Sequence, residues 1–170
     1  FGTANASGAT GYWNGTAGSS GGGLRVDLGV GPTAASSGAW SNTVNLATAS
    51  TVRVTLDYRL MMSSETESTE YGEIILDVNG VRYGSDLNSS LVHVIGDGTG
   101  GLNADTGWST VSFDIQLSAG THTIKFGAYS NGFSAADEWV QGYFDNVNVQ
   151  SISYHSMTAN VTAINDAPVL

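Results

Sequence analysis

An all-β chain, two antiparallel sheets packed as a β-sandwich with jelly-roll winding, is what this sequence predicts. Three observations carry that expectation. Apolar residues recur at every second position in run after run. The runs are short and separated by Gly-rich turns. No segment sustains a helical period with caps. Composition agrees: 23 of the 170 residues are Gly, 41% are hydrophobic and only 12% charged, a mixture suited to tightly turning β-structure rather than helices.

The elements follow in order. GGLRVDLGV alternates through Leu24, Val26 and Leu28, and AWSNTVNLA through Trp40, Val44 and Leu46. The clearest strand is STVRVTLDYRLMMS, where Val52, Val54, Leu56, Tyr58, Leu60 and Met62 alternate with Arg53, Thr55, Asp57 and Arg59, the pattern of a half-buried strand. EIILDVNGVRYG keeps Ile74, Leu76 and Val78 in phase and offers Asn79-Gly80 as a type I′ hairpin turn. SLVHVIG, STVSFDIQL and GTHTIKFGAY are further strands, the last two joined by a short turn at Ser118-Ala119-Gly120.

GYFDNVNV closes the series. Strand phase puts Tyr143, Asp145, Val147 and Val149 on one face. If the valines meet the core, Asp145 is drawn inward with them, where an unpartnered carboxylate costs on the order of several kcal/mol. A cation, hydrogen-bond donors, or pairing with Arg25, Arg53 or Arg59 would satisfy it. The tail SYHSMTANVTAINDAPVL carries one more alternating strand and then the turn-rich INDAPV.

Charge narrows the function. With 5 Lys+Arg against 15 Asp+Glu, the formal net charge is −10, which argues against nucleic-acid backbone as a partner. It suits a secreted protein and calcium held by carboxylates. The absence of cysteine excludes disulfides, thiol catalysis and thiolate metal sites. No apolar run approaches the roughly 18 residues of a membrane helix, so membrane insertion is not expected. No signal-peptide pattern opens the chain, and its abrupt ends read as those of a piece of a longer protein.

Acidic residues cluster. SETESTEYGE puts Glu65, Glu67, Glu70 and Glu73 within nine positions. Such a group is either a solvated loop or a site whose repulsion a cation relieves. Calcium, taking about six to eight oxygens, is the ion that fits, with Glu67 and Glu70 as ligands. AADEWVQGYFDN adds Asp137, Glu138 and Asp145, of which Asp137 and Asp145 are further candidate calcium ligands. IGDGTGGLNADTGW lacks the Lys and the following helix of a phosphate loop and reads as a loop, with Asp97 and Asp105 available for ion or ligand contact.

Catalysis is not expected. His93, His122 and His155 fall on separate segments, and no G-x-S-x-G or H-E-x-x-H motif occurs. A retaining glycosidase needs two carboxylates at about 5 Å. Glu65 and Glu67 have that spacing in sequence but belong to a loop. Sugar rings stack on exposed aromatics while carboxylates and amides take their hydroxyls. Trp139 beside Asp137 and Glu138, and Tyr71 beside Glu70, are the candidates, with Glu65 and Asp97 as polar contacts. Trp40 and Trp108 read instead as lids on the core.

GYFDNVNV resembles the closing strand of calcium-containing jelly-roll carbohydrate-binding modules. That resemblance implies a structural calcium on Asp145, although the N-terminal acidic ligand usual in such modules is missing, since no Asp or Glu precedes Asp27. FGTA, GGGLRVDLG, TLDYRL with its Glu-rich loop, DVNGVRYG, GDGTGG and SAGTHTIKFGAYSN together resemble jelly-roll modules of very long RTX-type bacterial adhesins. VTAINDAPV is similar to the junction of cadherin-like and VCBS-type tandem repeats, which implies interdomain calcium on Asn165 and Asp166.

The expectation is therefore a jelly-roll ligand-binding domain over residues 1–150, with a terminal strand and linker to a following repeat over 151–170. The resemblance implies a non-catalytic, Ca²⁺-dependent module at a bacterial cell surface, binding glycan first. A short peptide held through calcium, or a calcium-stiffened spacer, are the alternatives. A binding module attached to a polysaccharide-degrading enzyme is a weaker one.

Overall fold

The computed structural model describes residues 8–29 and 34–152. Eleven strands run through them: β1 (Ala9–Asn14), β2 (Gly23–Gly29), β3 (Ser36–Leu46), β4 (Ser50–Met62), β5 (Tyr71–Val78), β6 (Val81–Tyr83), β7 (Val92–Ile95), β8 (Ala104–Asp105), β9 (Ser109–Leu117), β10 (Gly120–Ser130) and β11 (Trp139–Ile152). A single 3₁₀ turn, Leu87–Ser89, is the one helical element among the described residues, and no helix there is long and apolar enough to cross a membrane.

All pairings are antiparallel. One sheet has the order β1-β2-β11-β4, with β8 and β9 both on β4; the other has β3-β10-β5, with β6 and β7 both on β5. From β2 to β5, and again from β7 to β11 by way of β9 and β10, each long strand lies in the opposite sheet from its predecessor. The result is β2-β11-β4-β9 packed on β3-β10-β5-β7, the eight-strand winding of a jelly roll. Every strand foreseen from alternation within the described residues is present. β1 was not foreseen, because four of its six residues are exposed and its apolar residues do not alternate.

The predicted faces form the core. Val52, Val54, Leu56, Leu60 and Met62 of β4 are buried against Ile74, Leu76 and Val78 of β5 and Ile124 and Phe126 of β10. Asn79 and Gly80 have φ of 55° and 87°, the two positive values a type I′ turn requires. Gly80 takes its value without the steric cost a Cβ would bring.

β11 breaks its own phase. Asp145 pairs with Asp57 and Asn148 with Thr55, so three steps on β11 span two on β4. This is a one-residue bulge, and Asn146 within it has φ of 49°. Before the bulge Val140, Gly142 and Phe144 face the core; after it Val149 packs there instead. The expected inward position of Asp145 is thereby corrected. It shares a face with Asp57, an outward residue of β4, while Val147 is exposed.

Candidate metal centre and the polar face beside it

In a jelly roll, alternate connections gather at one end of the sandwich. Here the β4–β5 loop (63–70), the β7–β8 loop (96–103) and the β10–β11 loop (131–138) meet and are stitched by their own backbones. The Gly96 and Gly98 amides donate to Glu70 O and Thr66 O, the Gly100 amide to Ser64 O, and the Ser63 amide to Trp139 O. Asn131 adds Nδ2 to Thr69 O at 2.9 Å, while its Oδ1 accepts the Tyr71 amide at 2.7 Å. Contact is so close that a Cβ on Gly96 would lie 2.1 Å from Thr66 O and 2.5 Å from Glu67 O. Gly96→Ala is expected to force the loops apart at a cost of about 1–3 kcal/mol, read from a urea unfolding curve.

These loops bring three carboxylates together. Oxygens of Glu67, Glu70 and Glu138 all lie within 4.8 Å of one another. Glu138 is 1% exposed; its Oε2 accepts the amides of Ser134 (2.5 Å) and Ala135 (2.9 Å), and its Oε1 accepts the Ser134 hydroxyl (3.1 Å). That same hydroxyl lies 2.7 Å from Glu67 Oε2. Glu70, also buried, has Oε2 on the Glu67 amide at 3.1 Å. Burial first, then the facing Glu67 carboxylate, pushes the Glu70 carboxyl above the usual range. The Ser134 hydroxyl, then Glu70, draws Glu67 below it. Three acids with no basic side chain among them repel one another unless a proton or a cation is shared between them, which makes them the candidate cation site.

The sequence-predicted residues divide around this centre. Glu67 and Glu70, expected as metal ligands, are both in it. Glu138, expected as a sugar contact, joins them; Ser134 was missed, since a hydroxyl carries no signal in a sequence. Glu65 is exposed beside Gly100. Asp97 caps its own turn through the Thr99 amide and hydroxyl. Asp137 is exposed and offers its carbonyl to Ser63; it is not among the three. Trp139 and Tyr71 are half-buried, and Tyr71 rests against His93 with ring centroids 4.5 Å apart. Asn165 and Asp166 lie outside the described residues, as does His155.

Asp145 sits on the outer face of the β1–β2–β11–β4 sheet. Its Oδ2 accepts the Ser19 hydroxyl (3.0 Å) and the Ser20 amide (3.3 Å), and its Oδ1 the Asn146 amide (2.8 Å). Asp57 accepts Asn146 Nδ2 (2.7 Å) and the Thr110 hydroxyl (2.6 Å), and its Oδ2 lies 3.0 Å from the same Ser19 hydroxyl. The Thr110 hydroxyl, then Asn146, holds Asp57 below the ordinary carboxylate range. For Asp145 desolvation works upward, but the Asn146 and Ser20 amides and Ser19 outweigh it and leave it lowered. The three arginines that might have paired with Asp145 take other partners: Arg25 with Asp27, Arg53 with Asp114, Arg59 with Asp105. Asp57, on the solvent-facing phase of β4, gave no hint in sequence of lying beside Asp145.

Trp13, at 68%, is the most exposed of the four tryptophans, and Gly22 lies against its ring. It too went unremarked in sequence as a sugar platform.

No protein-family profile matches the chain, and no curated protein does. Among solved structures with a similar chain course are several carbohydrate-binding modules. One is TmCBM61 in complex with β-1,4-galactotriose: 16% identity, 88% of this chain and 86% of that one, TM-score 0.45. Another is CBM35 from Paenibacillus barcinonensis: 16% identity, 85% and 94%, TM-score 0.38. A third is CBM6cm-2 of Cellvibrio mixtus lichenase 5A with cellotriose: 20% identity, 87% and 89%, TM-score 0.36.

Proposed function

We propose that this chain is a non-catalytic, calcium-dependent glycan-binding module of a large secreted bacterial adhesin, displayed at the cell surface. The observation that carries the calcium dependence is the meeting of Glu67, Glu70 and Glu138 within 4.8 Å. Glu138 and Glu70 are anchored and buried, while Glu67 faces solvent, so an ion there keeps an open side. A sugar diol can complete the shell of a calcium ion with an open side, because hydroxyls are hard oxygen ligands. The exposed ring of Trp13, which stands beside Asp145 and Asn146 rather than at the three-glutamate centre, supports sugar over other ligands, since a pyranose presents an apolar face to such a ring. A second ion is proposed at Asp145 with Asp57, and interdomain calcium at Asn165 and Asp166 toward neighbouring repeats.

A single site of this kind binds weakly, about −4 to −8 kcal/mol, roughly millimolar to micromolar. Attachment then depends on many copies acting together. The test is a glycan array probed in calcium and in EDTA. Wild type is expected to bind in calcium, Trp13→Ala and Glu67→Gln to lose most of the signal, and EDTA to abolish it. Binding of a peptide library in place of glycans, again calcium-dependent, would move the ligand to a short peptide held by the open ion, the second reading the same centre supports. Absence of both would leave a calcium-stiffened spacer, and release of reducing sugar from bound glycans would overturn the non-catalytic assignment.

A further inference from the structure

The outer face of the β1–β2–β11–β4 sheet carries a second polar site, which the sequence did not signal. The chain has 5 Lys+Arg, and two of them, Arg25 and Arg59, line one pocket of about 260 Å³ with Tyr143, Asn14, Thr16 and Gly18. Register builds it: Tyr12 pairs with Arg25, Arg25 with Tyr143, and Tyr143 with Arg59, one row across four strands. Tyr143 stands between the two guanidiniums, whose carbons lie 5.2 Å (Arg25) and 5.7 Å (Arg59) from its ring centre. That packing fixes both guanidiniums, with the cation–π contact adding to it.

The next row up orients them. Asp27 takes Arg25 Nε at 2.5 Å, and Asp105 takes Arg59 Nε and Nη2 at 2.7 and 2.5 Å. Both Nη groups of Arg25 and Nη1 of Arg59 meet no acceptor among the described residues. In a chain of net charge −10 these are donors held in place on a pocket wall. The row below holds Asp145 and Asp57, and Gly18 brings the wall against the Asp145 carboxylate. Arg forks recognise planar carboxylates. The Thr16 hydroxyl and the Asn14 carboxamide on the rim suit hydroxyl partners.

We propose that this pocket binds the carboxylate of a single acidic sugar residue, a uronate within an otherwise hydroxyl-bearing glycan. One carboxylate and several hydroxyls match the two guanidinium edges and the polar rim. This inference rests on the glycan reading and assigns it a substrate class and a site separate from the three-glutamate centre.

The probes are a trisaccharide of one galacturonate and two galactose residues and its neutral all-galactose counterpart, titrated calorimetrically in calcium. Wild type is expected to prefer the acidic trisaccharide by tenfold or more, and that preference to vanish in Arg25→Gln and in Arg59→Gln. Arg→Lys at either position keeps charge but not the fork, and should restore only part of it. Because the glutamines break ion pairs, wild-type NMR supplies an independent measurement: galacturonate should shift the Arg25 and Arg59 Hη resonances. Equal affinity for the two probes, or unmoved Hη signals with bound galacturonate, would overturn the uronate site while leaving glycan binding intact. Failure of both sugars to bind would instead remove the glycan reading itself. Arginine-dependent binding of a peptide carboxylate in their place would overturn the ligand class.

Discussion

Phe144→Ala is expected to destabilise the domain by about 3–5 kcal/mol, the usual cost of emptying an aromatic site in a packed core, while Val147→Ala costs less than about 0.5 kcal/mol. Phe144 is fully buried, its ring centre 5.1 Å from that of Phe126 in the opposite sheet, so its removal opens a void between the sheets. Val147 is 37% exposed and stands in the bulge. For a domain of this size the difference is roughly 2–4 °C of melting temperature per kcal/mol, easily resolved by calorimetry or urea titration. The comparison matters because plain alternation from Tyr143 assigns the opposite roles, Val147 inside and Phe144 outside. Similar costs for the two variants would mean that the bulge is misplaced.

That bulge marks where the sequence stops being readable. Alternation in β4 was sufficient to identify inside and outside, because its thirteen residues keep one phase, with β11 along one side and β9 then β8 along the other. In β11 the phase resets after Asp145. The sequence signal, an Asn able to adopt positive φ, is too common to place a bulge, since Asn79 takes the same conformation in an ordinary turn. The turn after β9 is a second case. Ser118-Ala119-Gly120 looks like a hairpin connection, yet β9 pairs with β4 and β10 with β3 and β5, so the chain crosses between sheets there. A short turn is compatible with either course, and only the partners decide.

The metal centre was half legible for a similar reason. Glu67 and Glu70 are neighbours along the chain, so their mutual repulsion was visible at once. Glu138 reaches them through the jelly-roll gathering of distant loops, a consequence of topology. The arginine row was invisible altogether. Arg25 and Arg59 belong to strands that never touch, and Tyr143, the residue joining them, comes from a third strand between the two.

Glu70→Gln is expected to act in opposite directions with and without calcium. In EDTA it should raise the melting temperature, because Glu70 is buried against Glu67 and near Glu138 and an amide removes that repulsion while keeping an oxygen for the Glu67 amide. In calcium it should lower the melt relative to wild type, since a ligand is lost. A cation bound only by the folded state adds RT ln(1+[L]/Kd), about 2.7 kcal/mol at hundredfold excess, and the variant should forfeit most of that. Acidity provides the sign check. Glu70 is raised in the folded state, so its contribution is full below the ordinary glutamate value and is lost as pH climbs through the raised one. Chelated wild type should therefore gain stability on moving from neutral to mildly acidic pH, with Glu70→Gln showing less of that gain. The lowered Glu67 acts the other way, but only further down, as pH falls through its depressed value. With calcium present the slope should invert, because protons then compete with the ion for the same oxygens. A wild-type melt that ignores both chelator and calcium, with Glu70→Gln stabilising in every buffer, would mean that the three glutamates share a proton rather than a metal.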